Sequence, residues 1–201
     1  GLSNLRGRLA EAGLEVARDD PALPRILEEV KAREAQGYSY DTAQASFEVL
    51  ARRALGRLPD FFEVKRYKVT VERRKNKHDR MVSLSEAVVV VKVDGEKKLS
   101  VSESMDAAGG DRGPVNALAR ALAKDLGPYQ PAIDDMRLVD FKVRVTQGGT
   151  EAVTRVMIDS EDGQGRRWST VGVSANIVDA SFEALLDAIV WKLSRDAPAP
   201  G

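Results

Sequence analysis

Few side chains in this chain could carry acid–base or metal chemistry. The 201 residues contain one histidine, His78, and no cysteine. His78 lies in the polar stretch RRKNKHDR, and the acidic pairs Asp19-Asp20 and Asp134-Asp135 lie beside Pro or in predicted loops. With one imidazole and no thiolate, a metal site would consist mostly of carboxylates, which suit Mg²⁺ or Ca²⁺ better than transition metals. We therefore predict no catalytic residue and no metal site.

A glycine-rich segment, GGDRGP, precedes a predicted helix at residues 109–114. A phosphate-binding loop needs converging backbone N–H groups and usually a Lys. No G-K-[ST] motif follows, and Pro114 removes one amide donor, so a nucleotide site is not predicted. The helix start still carries partial positive charge and could bind a small carboxylate, as could the matching helix start at Ala175-Asn176-Ile177.

Composition argues against several classes of partner. The formal net charge is zero, and the basic stretch at residues 73–77 has no interleaved aromatic residue, so nucleic acid is not a predicted partner. No apolar run approaches the ~20 residues of a membrane span, and no signal peptide is visible. The absence of cysteine fits a reducing compartment, and we expect a cytoplasmic protein.

An internal duplication occupies the last two-thirds of the chain. Residues 62–71, FEVKRYKVTV, match residues 136–145, MRLVDFKVRV, and both segments end in aromatic-Lys-Val-x-Val. Two further matches follow in the same order: residues 85–88 with 150–153, and residues 115–122 with 178–185. Two similar units are expected to face each other across a pseudo-two-fold axis, and the seam between them suits a small ligand or a second protomer.

The spacing of apolar residues predicts the elements that build these units. Helical spacing over residues 2–56 predicts three short helices, the third with Asp41 and Gln44 as a capping box. A period of two begins near Phe61 and predicts strands, with a β-bulge near Lys65-Arg66, a polar loop at 73–80 and a hairpin turn at Asp94-Gly95. Each unit then reads strand-strand-strand-helix. The predicted fold class is α+β, with two similar βββα units preceded by a small helical linker subdomain.

These elements also set the predicted domain boundaries. The helical linker subdomain covers residues 1–58, and the two-unit domain covers residues 59–196. Within that domain the first unit covers residues 61–127 and the second covers residues 135–194. Three short helices bury little apolar surface by themselves, so a linking or docking role is predicted for the first segment.

Three longer motifs resemble those of a known enzyme family. They are RGPVNAL at 112–118, RLVDFKVRV at 137–145 and WSTVGVSANIVDAS at 168–181. Together they resemble the C-terminal regulatory domain of the α-isopropylmalate synthase and citramalate synthase family. The segment GYSYDTAQASFE at 37–48 is similar to the linker of the citramalate-type members. Arg112 stands where the family usually has Asn, and Phe141 where it usually has Tyr, so an effector contact through that hydroxyl is not expected.

The resemblance implies part of an acyltransferase. The complete enzyme would add an N-terminal (β/α)₈ barrel that condenses acetyl-CoA with a 2-oxo acid by means of a divalent metal. This chain would then be non-catalytic on its own and would bind no cofactor. The family's regulatory domain forms a homodimer and binds the pathway end product, leucine or isoleucine, which inhibits the barrel. The linker favours the citramalate type, although the residues do not separate the two effectors. A stand-alone amino-acid-sensing module and a purely structural dimerisation domain are the alternatives.

By resemblance, the effector would lie between the two units, near the dimer interface. Its walls would be formed by Val115, Asn116, Leu138, Asp140, Phe141, Val145, Ala152, Thr154, Ala175 and Ile177. A branched aliphatic side chain gains roughly 1.5–3 kcal/mol on full burial. Its ammonium and carboxylate need fixed polar partners, for which Asn116, Asp140 and the helix-start amides are candidates. Plain core packing is the alternative for each position, and it explains Val145 and Leu138 equally well.

Overall fold

The computed structural model describes residues 1–106 and 112–200. Three helices come first and two βββα units follow, so the predicted α+β fold is confirmed. The elements are α1 Leu2–Glu11, α2 Ala22–Ala35, α3 Gln44–Ala54, β1 Glu63–Lys75, β2 Met81–Val93, β3 Glu96–Asp106, α4 Arg112–Leu122, α5 Gln130–Ile133, β4 Arg137–Gly148, β5 Glu151–Glu161, β6 Arg167–Ser174 and α6 Ile177–Asp196. The glycine-rich loop predicted before α4 falls largely on residues 107–111, which lie outside the described residues.

By compactness the chain divides into two units, which we describe separately. Unit 1 combines Gly1–Pro59 with Met136–Ala199, and unit 2 is built on Asp60–Asp135. The helices α1–α3 therefore belong with the second βββα repeat. The predicted domain boundaries, 1–58 and 59–196, are not tested by this division and stay predictions.

Unit 2 is a three-stranded antiparallel sheet with α4 on one face. The central strand β2 lies between β1 and β3, and its alternate residues point toward the helix. Val89 and Val91 of β2 and Leu118 and Leu122 of α4 are buried, which gives this unit its own core. The predicted hairpin turn between β2 and β3 is confirmed, since both residues of Asp94-Gly95 have the positive φ that a type I′ turn needs.

Unit 1 carries helices on both faces of its β4-β5-β6 sheet. On one face α6 is tied to β6, because the Thr170 hydroxyl donates to the Ala184 carbonyl (2.7 Å) and the Trp168 indole donates to the Ala188 carbonyl (3.1 Å). On the other face Val171 of β6 belongs to the apolar cluster formed by α1–α3, whose centre includes Phe47. The three N-terminal helices therefore cover a sheet face that would otherwise expose apolar side chains.

The two repeats share a β-bulge at the same place. The pairing of β1 with β2 shifts register between Val64 and Arg66, and that of β4 with β5 shifts between Leu138 and Asp140. These positions are equivalent in the match of residues 62–71 with 136–145. The bulge predicted near Lys65-Arg66 is confirmed, and its counterpart in β4 is a second sign of duplication.

The second sequence match, residues 85–88 with 150–153, is wrong as a structural equivalence. Ser85 lies opposite Val71 in unit 2, whereas Val145, the counterpart of Val71, lies opposite Thr154 in unit 1. Ser85 therefore corresponds to Thr154. The residue types agree when Ser85 is aligned with Thr150, but strand pairing aligns Ser85 with Thr154, four residues later.

Two local predictions also differ from the structure. The third helix is capped at Ala43, and Gln44 is its first residue, with its side-chain amide donating to the Asp41 carbonyl (3.2 Å). Asp41 therefore lies too early to act as the cap. The polar loop predicted at 73–80 is shorter, because β1 continues to Lys75 and β2 begins at Met81, so only residues 76–80 form the turn. The β1 side of this hairpin is exposed, whereas Val82 and Ser83 of β2 are buried.

Candidate functional site

The predicted effector positions in unit 2 lie side by side near the start of α4. Val115 is 3% exposed and faces the core, as the core-packing alternative predicts for an apolar residue of this helix. Asn116 is partly exposed. Only Asn116 of the two therefore offers polar surface to a ligand.

The predicted positions on β4 form a partly exposed apolar strip in unit 1. Phe141 lies opposite Ile158 and Val145 lies opposite Thr154, so both share the face of the sheet that carries α6. Val145 is 77% exposed, while Leu138 and Phe141 are partly exposed beside the helix. Asp140, at the bulge, is already engaged, since its carboxylate accepts from the Phe141 backbone N–H (2.9 Å).

The remaining predicted positions lie at the two ends of this face. Thr154 is partly exposed, and Ala152 is exposed near the hairpin between β4 and β5. Ala175 and Ile177 flank Asn176, whose side-chain oxygen accepts from the backbone N–H groups of Val178 (2.8 Å) and Asp179 (3.4 Å). Two of the amides predicted to attract a carboxylate are therefore occupied by this N-cap. The site as a whole, with its ten residues, stays a prediction.

A cavity that the sequence did not reveal lies in unit 1 between α2, α3 and α6. This α2–α3–α6 cavity has a volume of about 390 Å³. The residues that line it are Glu29, Arg33, Tyr38, Tyr40, Ser46, Val49, Leu50, Arg53, Ala54, Glu183, Leu186 and Asp187. Its wall thus combines both signs of charge, two phenols and an apolar floor.

Hydroxyl groups hold the two carboxylates of the cavity in place. The Tyr38 hydroxyl donates a short hydrogen bond to Glu183 Oε1, and the Ser46 hydroxyl donates to Asp187 Oδ2 (2.8 Å). Ser46 also accepts from the backbone N–H of Val171 (2.9 Å), so α3 covers a backbone donor on the outer edge of β6. Arg33 lies beside this pair, with 3.9 Å between its Nη1 and Glu183 Oε1.

The acid groups of the cavity hold their protons unusually tightly. Burial raises the pKa of Asp187 to about 7, against the opposing effect of the Ser46 hydrogen bond. Burial also raises the pKa of Glu183, again opposed by a hydrogen bond, from Tyr38. The pKa of the Tyr38 phenol is raised in turn by burial and by its bond to Glu183. Asp187 is partly exposed to the cavity, while protein atoms crowd its carboxyl group. Perturbed groups of this kind in a cleft are typical of binding sites.

A second ionic cluster is structural in character. The Asp162 side chain is 0% exposed and accepts from Arg166 Nε (2.7 Å), while Lys192 Nζ lies 3.3 Å away. Lys192 and Arg166 also bind Asp196, at the C-terminal end of α6. Burial would raise the pKa of Asp162, but its hydrogen bonds from Arg166 and from the Gln164 backbone lower that pKa to about 2. The cluster fastens the last turn of α6 to the β5–β6 hairpin.

The described residues contain no clustered metal ligands and no membrane-spanning helix. Within residues 1–106 and 112–200, no group of three or more His, Asp or Glu side chains is arranged to hold a metal ion. His78 is exposed in the β1–β2 turn, where its backbone N–H donates to the Asn76 side chain (2.9 Å). None of the described helices has the length and apolarity needed to cross a bilayer.

The chain resembles known proteins over almost its whole length. Residues 41–193 match the LeuA allosteric (dimerisation) domain. The chain belongs to this family. The resemblance predicted from the three motifs is thereby confirmed, and the LeuA domain spans both βββα repeats together with α3.

Curated relatives of this LeuA-domain chain are synthases. It is 41% identical to an (R)-citramalate synthase of Geobacter sulfurreducens, covering 100% of this chain and 36% of that protein. An (R)-citramalate synthase of Aquifex aeolicus is 39% identical over 98% of this chain and 35% of its own length. A 2-isopropylmalate synthase of Methanocaldococcus jannaschii is 26% identical over 94% of this chain and 33% of its own. The chain spans about a third of the length of these relatives.

Proposed function

We propose that this chain is the regulatory and dimerisation part of an acetyl-CoA-dependent synthase that condenses a 2-oxo acid to citramalate or 2-isopropylmalate. The observation that carries the proposal is the match of residues 41–193 to the LeuA allosteric (dimerisation) domain. The chain itself would be non-catalytic and hold no cofactor. A divalent metal and acetyl-CoA would bind to a catalytic barrel elsewhere in the same cytoplasmic enzyme.

The proposed ligand is isoleucine or leucine, acting as a feedback inhibitor of branched-chain amino-acid biosynthesis. The apolar strip of Leu138, Phe141 and Val145 supports this choice, because it is partly exposed and suits a branched aliphatic side chain. Phe141 offers ring contact without a hydroxyl. The relatives named (R)-citramalate synthase favour isoleucine of the two. Leucine and isoleucine differ in one methyl branch, which a shaped pocket separates by about 1–3 kcal/mol.

Inhibition requires a coupling between this effector site and the proposed barrel. The helices α1–α3 are suited to transmit it, because they pack directly on β6 and α3 bonds to α6 through Ser46 and Asp187. A shift of α6 on effector binding would therefore reach the N-terminal helices without an intervening loop. The proposed partners are a second copy of the chain and the catalytic barrel.

Calorimetry with isoleucine, leucine and valine, combined with light scattering after size exclusion, tests the proposal. We expect a dimer that binds isoleucine or leucine saturably. The variant Ala152→Phe should abolish this binding, while Ala17→Phe, at another exposed alanine of unit 1 outside the predicted site, should leave it unchanged. A folded dimer that binds none of the three amino acids would refute the regulatory proposal. Equal affinity in both variants would refute the predicted site.

A further inference from the structure

The α2–α3–α6 cavity is separate from the ten predicted effector positions and has the features of a ligand site. None of its lining residues belongs to that set. Its volume of about 390 Å³ exceeds that of a small metabolite and lies within the usual ~300–1,000 Å³ of small-molecule sites. The proposed effector site therefore does not include this cavity.

The α6 side of the cavity carries two carboxylates that have few cations nearby. Glu183 and Asp187 lie one turn apart on α6, so both carboxylates face the same space. Their closest partners are neutral hydroxyls, those of Tyr38 and Ser46. Among the described residues no Lys or Arg nitrogen comes within 4.0 Å of the Asp187 carboxylate, and Arg33 reaches Glu183 only at 3.9 Å. An ammonium group placed between the two acids would supply the missing charge.

Two guanidinium groups also line the cavity. Arg33 on α2 lies over the Tyr38 ring, with 5.3 Å from Cζ to the ring centroid, and its Nε donates to Glu29 (3.2 Å), which together orient its planar head. Arg53 on α3 is exposed at the cavity mouth. Guanidinium groups bind carboxylates with two parallel hydrogen bonds. Leu50 and Leu186 of the cavity lining provide apolar surface that suits a short side chain.

We propose that the α2–α3–α6 cavity binds a free α-amino acid as its zwitterion, with the ammonium group on Glu183 and Asp187 and the carboxylate toward Arg33 and Arg53. This site is additional to the proposed effector site and does not depend on it. The raised pKa values of both acids support the placement, because an ammonium group would stabilise their ionised forms. A bound ligand would join α2 and α3 to α6 across the gap.

Calorimetry or saturation-transfer NMR with each of the twenty standard amino acids tests the site on the intact chain. We expect at least one amino acid to bind the wild type and to lose affinity by about tenfold or more in Asp187→Asn and Glu183→Gln, because each removes a charge-assisted hydrogen bond. Both variants should fold, since an amide oxygen can still accept from Ser46 or Tyr38. Glu28→Gln, the same change at an exposed position of α2 outside the cavity, should bind as the wild type does.

The variant Ala152→Phe separates this inference from the proposed function. Binding that survives Ala152→Phe and fails in Asp187→Asn supports the cavity site. If every bound amino acid instead depends on Ala152 and none on Asp187 or Glu183, the inference is wrong and the effector proposal stands. If no amino acid binds the folded protein, both are wrong.

Analogues of the amino acid that binds test the assigned orientation. We expect its decarboxylated amine to retain measurable affinity that depends on Asp187, and its deaminated acid to bind at least tenfold more weakly than the amino acid. An acid that binds as well as the amino acid would overturn the placement of the ammonium group on Glu183 and Asp187.

Discussion

Gly172 marks the closest approach of β6 to α6, and we expect Gly172→Ala to be among the most destabilising small substitutions in unit 1. A Cβ built on Gly172 would lie 1.9 Å from the Ala180 carbonyl oxygen and 3.0 Å from the Ala184 backbone nitrogen. Both atoms belong to the backbone of α6, so no change of rotamer relieves the overlap. Gly172 has no positive φ, and the cost is therefore steric rather than torsional.

The size of the effect follows from the distance. A carbon and a carbonyl oxygen in close contact are roughly 3.3 Å apart, so α6 would have to move away from the sheet by roughly 1.4 Å. A gap of about 0.5–1 Å already forfeits a quarter to a half of the dispersion energy. The buried layer between helix and sheet, which includes Val156, Ile158 and Leu185, would lose that packing. We expect the free energy of unfolding to fall by about 3–5 kcal/mol, a large share of the typical 5–15 kcal/mol.

Urea unfolding followed by tryptophan fluorescence measures this loss of stability in unit 1 itself. Both tryptophans of the chain, Trp168 and Trp191, lie in unit 1 and stack with 4.7 Å between their ring centroids. Gly7→Ala is the matched control. No atom lies within 4 Å of a Cβ at Gly7, and the residue is inside α1, so this change should stabilise by about 0.5–1 kcal/mol. A loss below 1 kcal/mol in Gly172→Ala would refute the close packing of α6 on β6.

Three further predictions concern charged and capping side chains of unit 1. Burial raises the pKa of Asp187 to about 7, so its protonated form favours folding, and the free energy of unfolding should fall between pH 4 and pH 8. In urea titrations at several pH values, Asp187→Asn should remove on the order of 2 kcal/mol of that fall. An unchanged dependence of the unfolding free energy on pH in this variant would contradict the raised pKa. Lys192→Met leaves Asp162 buried with one cation fewer and should cost about 3 kcal/mol in urea unfolding, while a cost below 1 kcal/mol would mean that water reaches the pair. Asn176→Ala removes the N-cap of α6 and should cost about 1 kcal/mol by thermal unfolding; no change would show that the cap adds nothing.

Elements with a strong local signal were predictable from the sequence. Alternating apolar residues marked the strands, and the bulge near Lys65-Arg66 and the turn at Asp94-Gly95 are confirmed because each depends on the conformation of neighbouring residues. The equivalence of Ser85 was not predictable, because it depends on which residue of the next strand lies opposite. The cap of α3 was missed because both Asp41 and Ala43 precede a helical pattern and only the backbone conformation distinguishes them.

The cavity was missed because its contacts join distant parts of the chain. Tyr38 and Glu183 are 145 residues apart, and Ser46 and Asp187 are 141 apart. No periodic pattern relates residues at such separations. One signal was present, since Glu183 and Asp187 are acids at helical spacing within the largely apolar residues 180–191 of α6. Two carboxylates one turn apart on a helix that packs on a sheet could have indicated a buried polar pair.

The discontinuity of unit 1 determines the order in which a ribosome can produce a finished fold. Gly1–Pro59 emerges before Met136–Ala199, which carries the sheet that covers its apolar helices. The residues of unit 2 must be synthesised in between, which takes on the order of 4–15 s at about 5–20 residues per second. Unit 2 holds all its strands in one uninterrupted stretch and can fold during that interval. Until β6 arrives, the apolar cluster of α1–α3 that packs on Val171 lacks this partner in the nascent chain.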